Sequence, residues 1–150
     1  QIKEMSDSGM QIGSHSHTHP NLIDLDEDRI NHEIRHSRLF LEDLLGKEVD
    51  SFSFPFGYEN SYLIRKVLQE GYKYCCTSRH GIVKSHMGML PRNSINSSMG
   101  MKKISATVNA CYSTRTIWKM EDMSKFILKK YFNSLYFKIR STVLDVQNGK

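Results

Sequence analysis

Three histidines alternate within five residues of the stretch GSHSHTHPN, His15, His17 and His19, and Pro20 then interrupts the chain. Imidazole is the commonest protein ligand for zinc-like cations, and a catalytic zinc takes about three protein ligands while one position stays open to water. In a turn or helical loop His15 and His19 share a face at i,i+4, and in an extended strand all three histidines do. Both geometries pair His15 with His19. Ligands close together in sequence also lower the entropic cost of assembling such a site.

The elements around the cluster are those of an α/β fold. Residues 2–9, IKEMSDSG, read as the end of a helix stopped by Gly9, and MQIG as a short strand that delivers the histidines at its C-terminal end. From Asp26 to about Leu45, the three-to-four spacing of Ile30, Ile34, Ser37 and Leu41 predicts an amphipathic helix. Asp26, Glu27 and Asp28 sit at its positive N-terminal end and Gly46 stops it. VDSFSFPFG alternates Val49, Phe52, Phe54 and Phe56 as a strand ended by Pro55 and Gly57. A second helix over 61–70, a strand in YKYCCTS and another in MLPRNSI complete a strand–helix alternation typical of a parallel sheet or barrel. Beyond Asn96 the texture changes: SSMGMKK reads as a hinge. A helix follows from Glu121 to about Val146, with Phe126, Leu128, Tyr131, Phe132, Leu135, Ile139 and Val143 on one face.

Composition excludes several classes of protein. The 150 residues suit about one domain, and no stretch approaches the ~18 consecutive apolar residues of a membrane span. QIKEMSDSGM lacks the basic and apolar regions of a signal peptide. Cys75 and Cys76 are adjacent and Cys111 stands apart, so the thiols read as free and buried rather than as a disulfide framework or a Cys-based zinc site. The net charge of +5 is uneven, −2 over residues 1–100 and +7 over residues 101–150. No nucleic-acid-binding motif accompanies the basic tail, which reads as a solvated face or as a contact for an anionic membrane or acidic glycan.

Two further readings of the histidines use other pairs. An H-x-H pair, His15 with His17 or His17 with His19, suits a metal barrel of the amidohydrolase type. A metallo-β-lactamase pattern, H-x-H-x-D-H, fails for want of its aspartate. A second motif favours a different family. GMQIGSHSHTHPNL resembles the H-[ST]-x-x-H motif of the polysaccharide deacetylases, the NodB-homology domain of carbohydrate esterase family four, and SFPFG, Ser53 to Gly57, resembles their R-x-P-[YF]-G motif downstream. The resemblance covers roughly residues 1–96. It implies a distorted (β/α) barrel of about seven strands and a divalent metal, usually zinc, held by two histidines and an aspartate. The reaction it implies is hydrolysis of acetyl groups on the N-acetylated sugars of a polysaccharide or glycolipid. His15 and His19 would be the ligands, with His17 in the variable position. The backbone N–H of Phe56 would donate to the oxyanion, Pro55 would fix the turn, and Gly57 would let the backbone approach the substrate. The family's usual setting is the cell envelope, with the cytoplasm as the alternative.

The sequence departs from the family in three places. No T-F-D-D-G stretch is present, so the aspartate ligand and the aspartate base are missing. The expectation is therefore the C-terminal part of a deacetylase barrel over residues 1–96 and a basic helical extension over 97–150, inactive by itself and prone to self-association through an unpaired sheet edge. The arginine of the third motif is Ser53, and Arg92 in LPRN is the expected replacement, reaching the same carboxylate from a neighbouring strand. No L-x-H motif supplies a general acid; His80 and His86 are the downstream histidines and read as loop residues. The alternative function is a deacetylase-like domain that binds glycan or a partner without turnover.

Overall fold

The computed structural model describes residues 1–83 and 88–131, and the chain divides into two compact units, 1–93 and 94–150. In the first unit, three short strands, β1 (Ser51–Ser53), β2 (Tyr74–Cys76) and β3 (Met89–Leu90), form a parallel sheet in the order β1-β2-β3. Phe52 stands opposite Cys75, and Cys76 opposite Leu90, so the strands end level with one another. Ser14 extends the sheet beyond β1 by one parallel bridge: its N–H donates to the Ser51 carbonyl and its carbonyl accepts from the Ser53 N–H, both at 2.8 Å. The strand expected in MQIG is thus a single pairing at Ser14. Residues 10–13 stay irregular, with Met10 largely exposed.

The helices form where capping and periodicity agree. After α1 (Ile2–Asp7) comes α2 (Glu27–Leu45), whose N-cap Asp26 accepts the Arg29 N–H at 2.9 Å. Gly46 ends α2 at φ 66°, the left-handed conformation that glycine adopts without a steric penalty. Asn60 caps α3 (Ser61–Gln69), which links β1 to β2, by accepting the Leu63 N–H at 2.8 Å. The core joins Leu22, Ile30, Ile34, Val49, Phe52, Phe54, Leu63, Val67, Tyr72 and Cys75. Phe52 meets Phe54 and Tyr72 edge to face, each with ring centroids 5.3 Å apart.

The second unit carries α4 (Met101–Val108) and α5 (Tyr112–Tyr131). Helix therefore occupies part of the expected hinge, with Gly100 as the N-cap of α4. The expected helix from Glu121 begins nine residues earlier, at Tyr112. Its continuation to Val146, including Phe132, Leu135, Ile139 and Val143, lies outside the described residues, as does His86. Of the expected face, Phe126 and Tyr131 are exposed and Leu128 is half-buried. No described helix is long and apolar enough to cross a membrane. All three cysteines are free. Burial pushes the Cys75 thiol up to about 11, whereas Cys111 is exposed, against the expectation of burial.

Candidate metal centre

The histidine loop leaves the sheet at its C-terminal edge. The Ser14 bridge aligns the chain with β1, and His15 is the first residue past it. The His15 ring then turns back to β1, with Nδ1 2.7 Å from the Ser53 carbonyl oxygen. A carbonyl only accepts, so Nδ1 is the donor in this contact, and the tautomer that makes it leaves the Nε2 lone pair for a cation. This is the arrangement in which a metal-ligating histidine is normally oriented by a neighbouring carbonyl. His19 faces it, with ring centroids 4.8 Å apart and the rings crossing at 70°.

Three strained residues shape this place. Ser16 (φ 68°), His19 (φ 61°) and Phe56 (φ 56°) are left-handed without being glycine, a conformation that costs on the order of 1 kcal/mol or more each. Ala110 is the one other such residue described, and it belongs to the second unit. The Ser16 hydroxyl accepts the His19 N–H at 3.0 Å and so supports the turn. Opposite it, Pro55, Phe56 and Gly57 form a tight 3-10 turn after β1, and the Phe56 ring lies 4.7 Å from that of His19, edge to face. Pro55 is buried; Gly57, at φ 65°, follows Phe56 in the same left-handed region. The Ser53 hydroxyl, at the position of the family's arginine, is buried without a hydrogen-bond partner among the described residues.

The other side of the loop is held by α2. Glu33 is buried on the same helix face as Ile30, Ile34 and Ser37, and its carboxylate accepts from three groups of the loop. These are the N–H groups of His17 and Thr18, both at 2.8 Å, and the Thr18 hydroxyl at 2.5 Å. Burial alone would raise its carboxyl, but hydrogen bonds from Thr18 and His17 outweigh it and hold Glu33 below the ordinary carboxylate range. Below this, the Ser14 hydroxyl donates to Ser37 Oγ at 2.8 Å, and Ser37 Oγ and Tyr72 OH both donate to the Ile34 carbonyl. Glu33 was not among the residues expected from sequence. The available signal was a carboxylate set three residues from Ile30 on an inward face, where a charge needs partners.

The structure brings His15, His19 and Phe56 together and sends His17 elsewhere. The His17 ring packs on α2, with centroids 4.3 Å from His36 and 5.7 Å from His32, and so joins neither neighbour as an H-x-H pair. Arg92 does not meet the histidine pair through any described contact. It lies just past β3, with Nε donating to the Thr77 carbonyl at 2.9 Å and its backbone N–H to the Arg79 carbonyl at 3.0 Å.

Short parallel strands that lead to two facing imidazoles and a strained Pro-Phe-Gly turn define the candidate site, and known proteins share the α/β fold that carries it. The family model for polysaccharide deacetylase matches residues 1–75, and the chain belongs to that family. YxkH of Bacillus subtilis (strain 168), a protein named for polysaccharide deacetylation, is 26% identical over 101 residues, 67% of this chain and 36% of that protein. Among solved structures, the deacetylase PplD of Streptococcus pyogenes, in complex with acetate, matches with a TM-score of 0.65 at 25% identity. That match covers 71% of this chain and 48% of PplD. The polysaccharide deacetylase BC0361 of Bacillus cereus matches with a TM-score of 0.63 at 25% identity, over 71% of this chain and 35% of that one. The chain thus spans between about a third and a half of the length of these relatives.

Proposed function

We propose that this chain forms the histidine half of a metal-dependent deacetylase acting on the N-acetylated sugars of a polysaccharide or glycolipid. The observation that carries the reading is the paired His15 and His19 at the sheet edge, with His15 Nδ1 engaged by the Ser53 carbonyl and Nε2 left for a cation. The donor set, two imidazoles of which one is oriented by a backbone carbonyl, fits a divalent zinc-like ion. Such an ion, when bound, supplies Lewis-acid polarisation of a carbonyl and of water. The chain's own groups complete the surroundings. The Phe56 N–H, set by its left-handed turn, donates to the oxyanion of the acetyl carbon as it becomes tetrahedral. Pro55 and Gly57 fix the turn against which the sugar lies. Arg92, whose Nε donates to the Thr77 carbonyl, would have only its terminal guanidinium N–H groups left to orient a carboxylate supplied from outside these residues.

The carboxylates of the family's T-F-D-D-G motif are not among these 150 residues, so the chain by itself is inactive in this reading. PplD, solved with acetate, carries the product that removal of an acetyl group would release. The basic second unit, with Lys129 and Lys130 in the last turn of α5, offers cationic side chains to an acidic glycan or anionic membrane. The test is an assay of the full-length polypeptide on acetylated glucosamine oligomers with added zinc. Acetate release that His15→Ala abolishes is expected. Turnover unaffected by that change would refute the reading, and glycan binding without any turnover would favour a non-catalytic, glycan-binding domain.

A further inference from the structure

The same loop that turns His15 and His19 to the sheet turns His17 to α2, where two more imidazoles stand one helical turn apart. His32 and His36 are i,i+4 neighbours, the spacing that puts both side chains on one helix face. Their rings are 5.0 Å apart, and His17 closes a triangle with them. One ring nitrogen from each of the three lies within 4.8 Å of the others. A tetrahedral zinc with Zn–N bonds of about 2.0–2.1 Å separates its ligand nitrogens by about 3.3 Å. The shortfall is therefore within reach of small rotations of three exposed side chains. Their backbones need not move, because Glu33, between His32 and His36 in sequence, clamps the His17 N–H with its carboxylate.

We propose that His17, His32 and His36 form a second metal site, which takes a divalent first-row transition ion such as Zn2+ and leaves its fourth position to water. Three imidazoles with no thiolate and no carboxylate in the group favour zinc-like ions over calcium or magnesium, which prefer oxygen ligands. The site is distinct from the His15/His19 pair and faces the other side of the loop. A bound ion would tie residues 15–19 to α2 and would restrain the backbone that carries the pair, so its occupancy would couple to the order of the candidate active site.

The experiment is a zinc titration of the metal-stripped chain, wild type against the double variants H32N/H36N and H15N/H19N, with thermal melts in chelator to establish that each is folded. Zinc binding is expected to persist in H15N/H19N and to weaken more than about 100-fold in H32N/H36N, beyond the 10–100-fold typical of losing an outer-shell partner. Wild-type affinity in H32N/H36N would overturn the proposal, as would loss of all zinc binding in H15N/H19N, or a wild-type chain that binds no zinc. Histidine ring NMR signals of the unmutated chain give a second readout that needs no variant. Zinc should shift the rings of His17, His32 and His36; shifts confined to His15 and His19 would overturn the proposal. No turnover is measured, so the result stands apart from the deacetylase reading.

Discussion

The two sides of one five-residue loop differ in how they are held. On the sheet side, His15 precedes a strained Ser16, His19 is itself strained and faces a strained Phe56, and the positions of the two histidines rest on a backbone carbonyl, a serine hydroxyl and an aromatic edge. On the helix side, His17 follows a backbone clamped by a buried carboxylate with three donors. Strain therefore collects where the chemistry is proposed, and the charge-assisted hydrogen bonds that offset it come from α2. One element positions the pair and another stabilises the loop, so the two contributions are separable by mutation.

The largest effect expected is on activity. If the full-length protein is the proposed deacetylase, His15→Ala or His19→Ala should lower its kcat/KM by at least about 1,000-fold, about 4 kcal/mol of transition-state stabilisation, whereas His17→Ala should stay within a few-fold. Steady-state assays at saturating zinc make the comparison. Equal losses at all three positions would erase the distinction between the two sides.

Glu33 comes next. Glu33→Ala strips the loop of its charged acceptor and should cost about 2–4 kcal/mol, read from denaturant unfolding. Its folded carboxyl is held below the value of about 4.5 for the unfolded chain, so the unfolded state takes up a proton first as pH falls. The stabilisation is thus fully present above that value and is lost as pH falls through the folded one. Glu33→Gln should flatten this acid limb of the stability curve.

Smaller effects are expected along β1. A Cβ at Gly13 would meet the Ser51 hydroxyl and come within 3.1 Å of the Ser51 carbonyl, so Gly13→Ala should cost about 1 kcal/mol by pushing the Ser14 bridge away from the strand. Ser53→Ala removes a buried hydroxyl that has no partner among the described residues. It should leave stability within about 0.5 kcal/mol of wild type, or raise it, in the same unfolding experiment.

Much of this was legible in the residues. The pairing of His15 with His19 followed from their spacing in either backbone geometry, and α2 and α3 followed from periodic apolar positions bracketed by Asp26, Gly46 and Gly71. What escaped depended on contacts between distant segments. His32 and His36 share a helix face by their i,i+4 spacing, but nothing in the sequence says that the loop brings His17 over them. The inward place of Glu33 beside Ile30 signalled a buried carboxylate, but not its partners, which are 15 and 16 residues away. In the second unit the start of α5 was hidden by its Ser-Thr-Arg-Thr-Ile run, whose hydroxyls and β-branches weaken helix propensity. Thr116 instead spends its hydroxyl on the Tyr112 carbonyl one turn back, at 3.2 Å, and the helix runs through. Single bridges such as Ser14 leave no period-2 signature for a strand search to find.

In the proposed active site, His15 and His19, not an H-x-H pair, hold the metal. The direct measurement is anomalous diffraction at the zinc edge from crystals of the full-length protein grown with zinc. A peak is expected at bonding distance, about 2.0–2.1 Å, from Nε2 of His15 and from a ring nitrogen of His19. A peak shared by His17 with His15 or with His19, or none beside the pair in zinc-replete crystals, would contradict it.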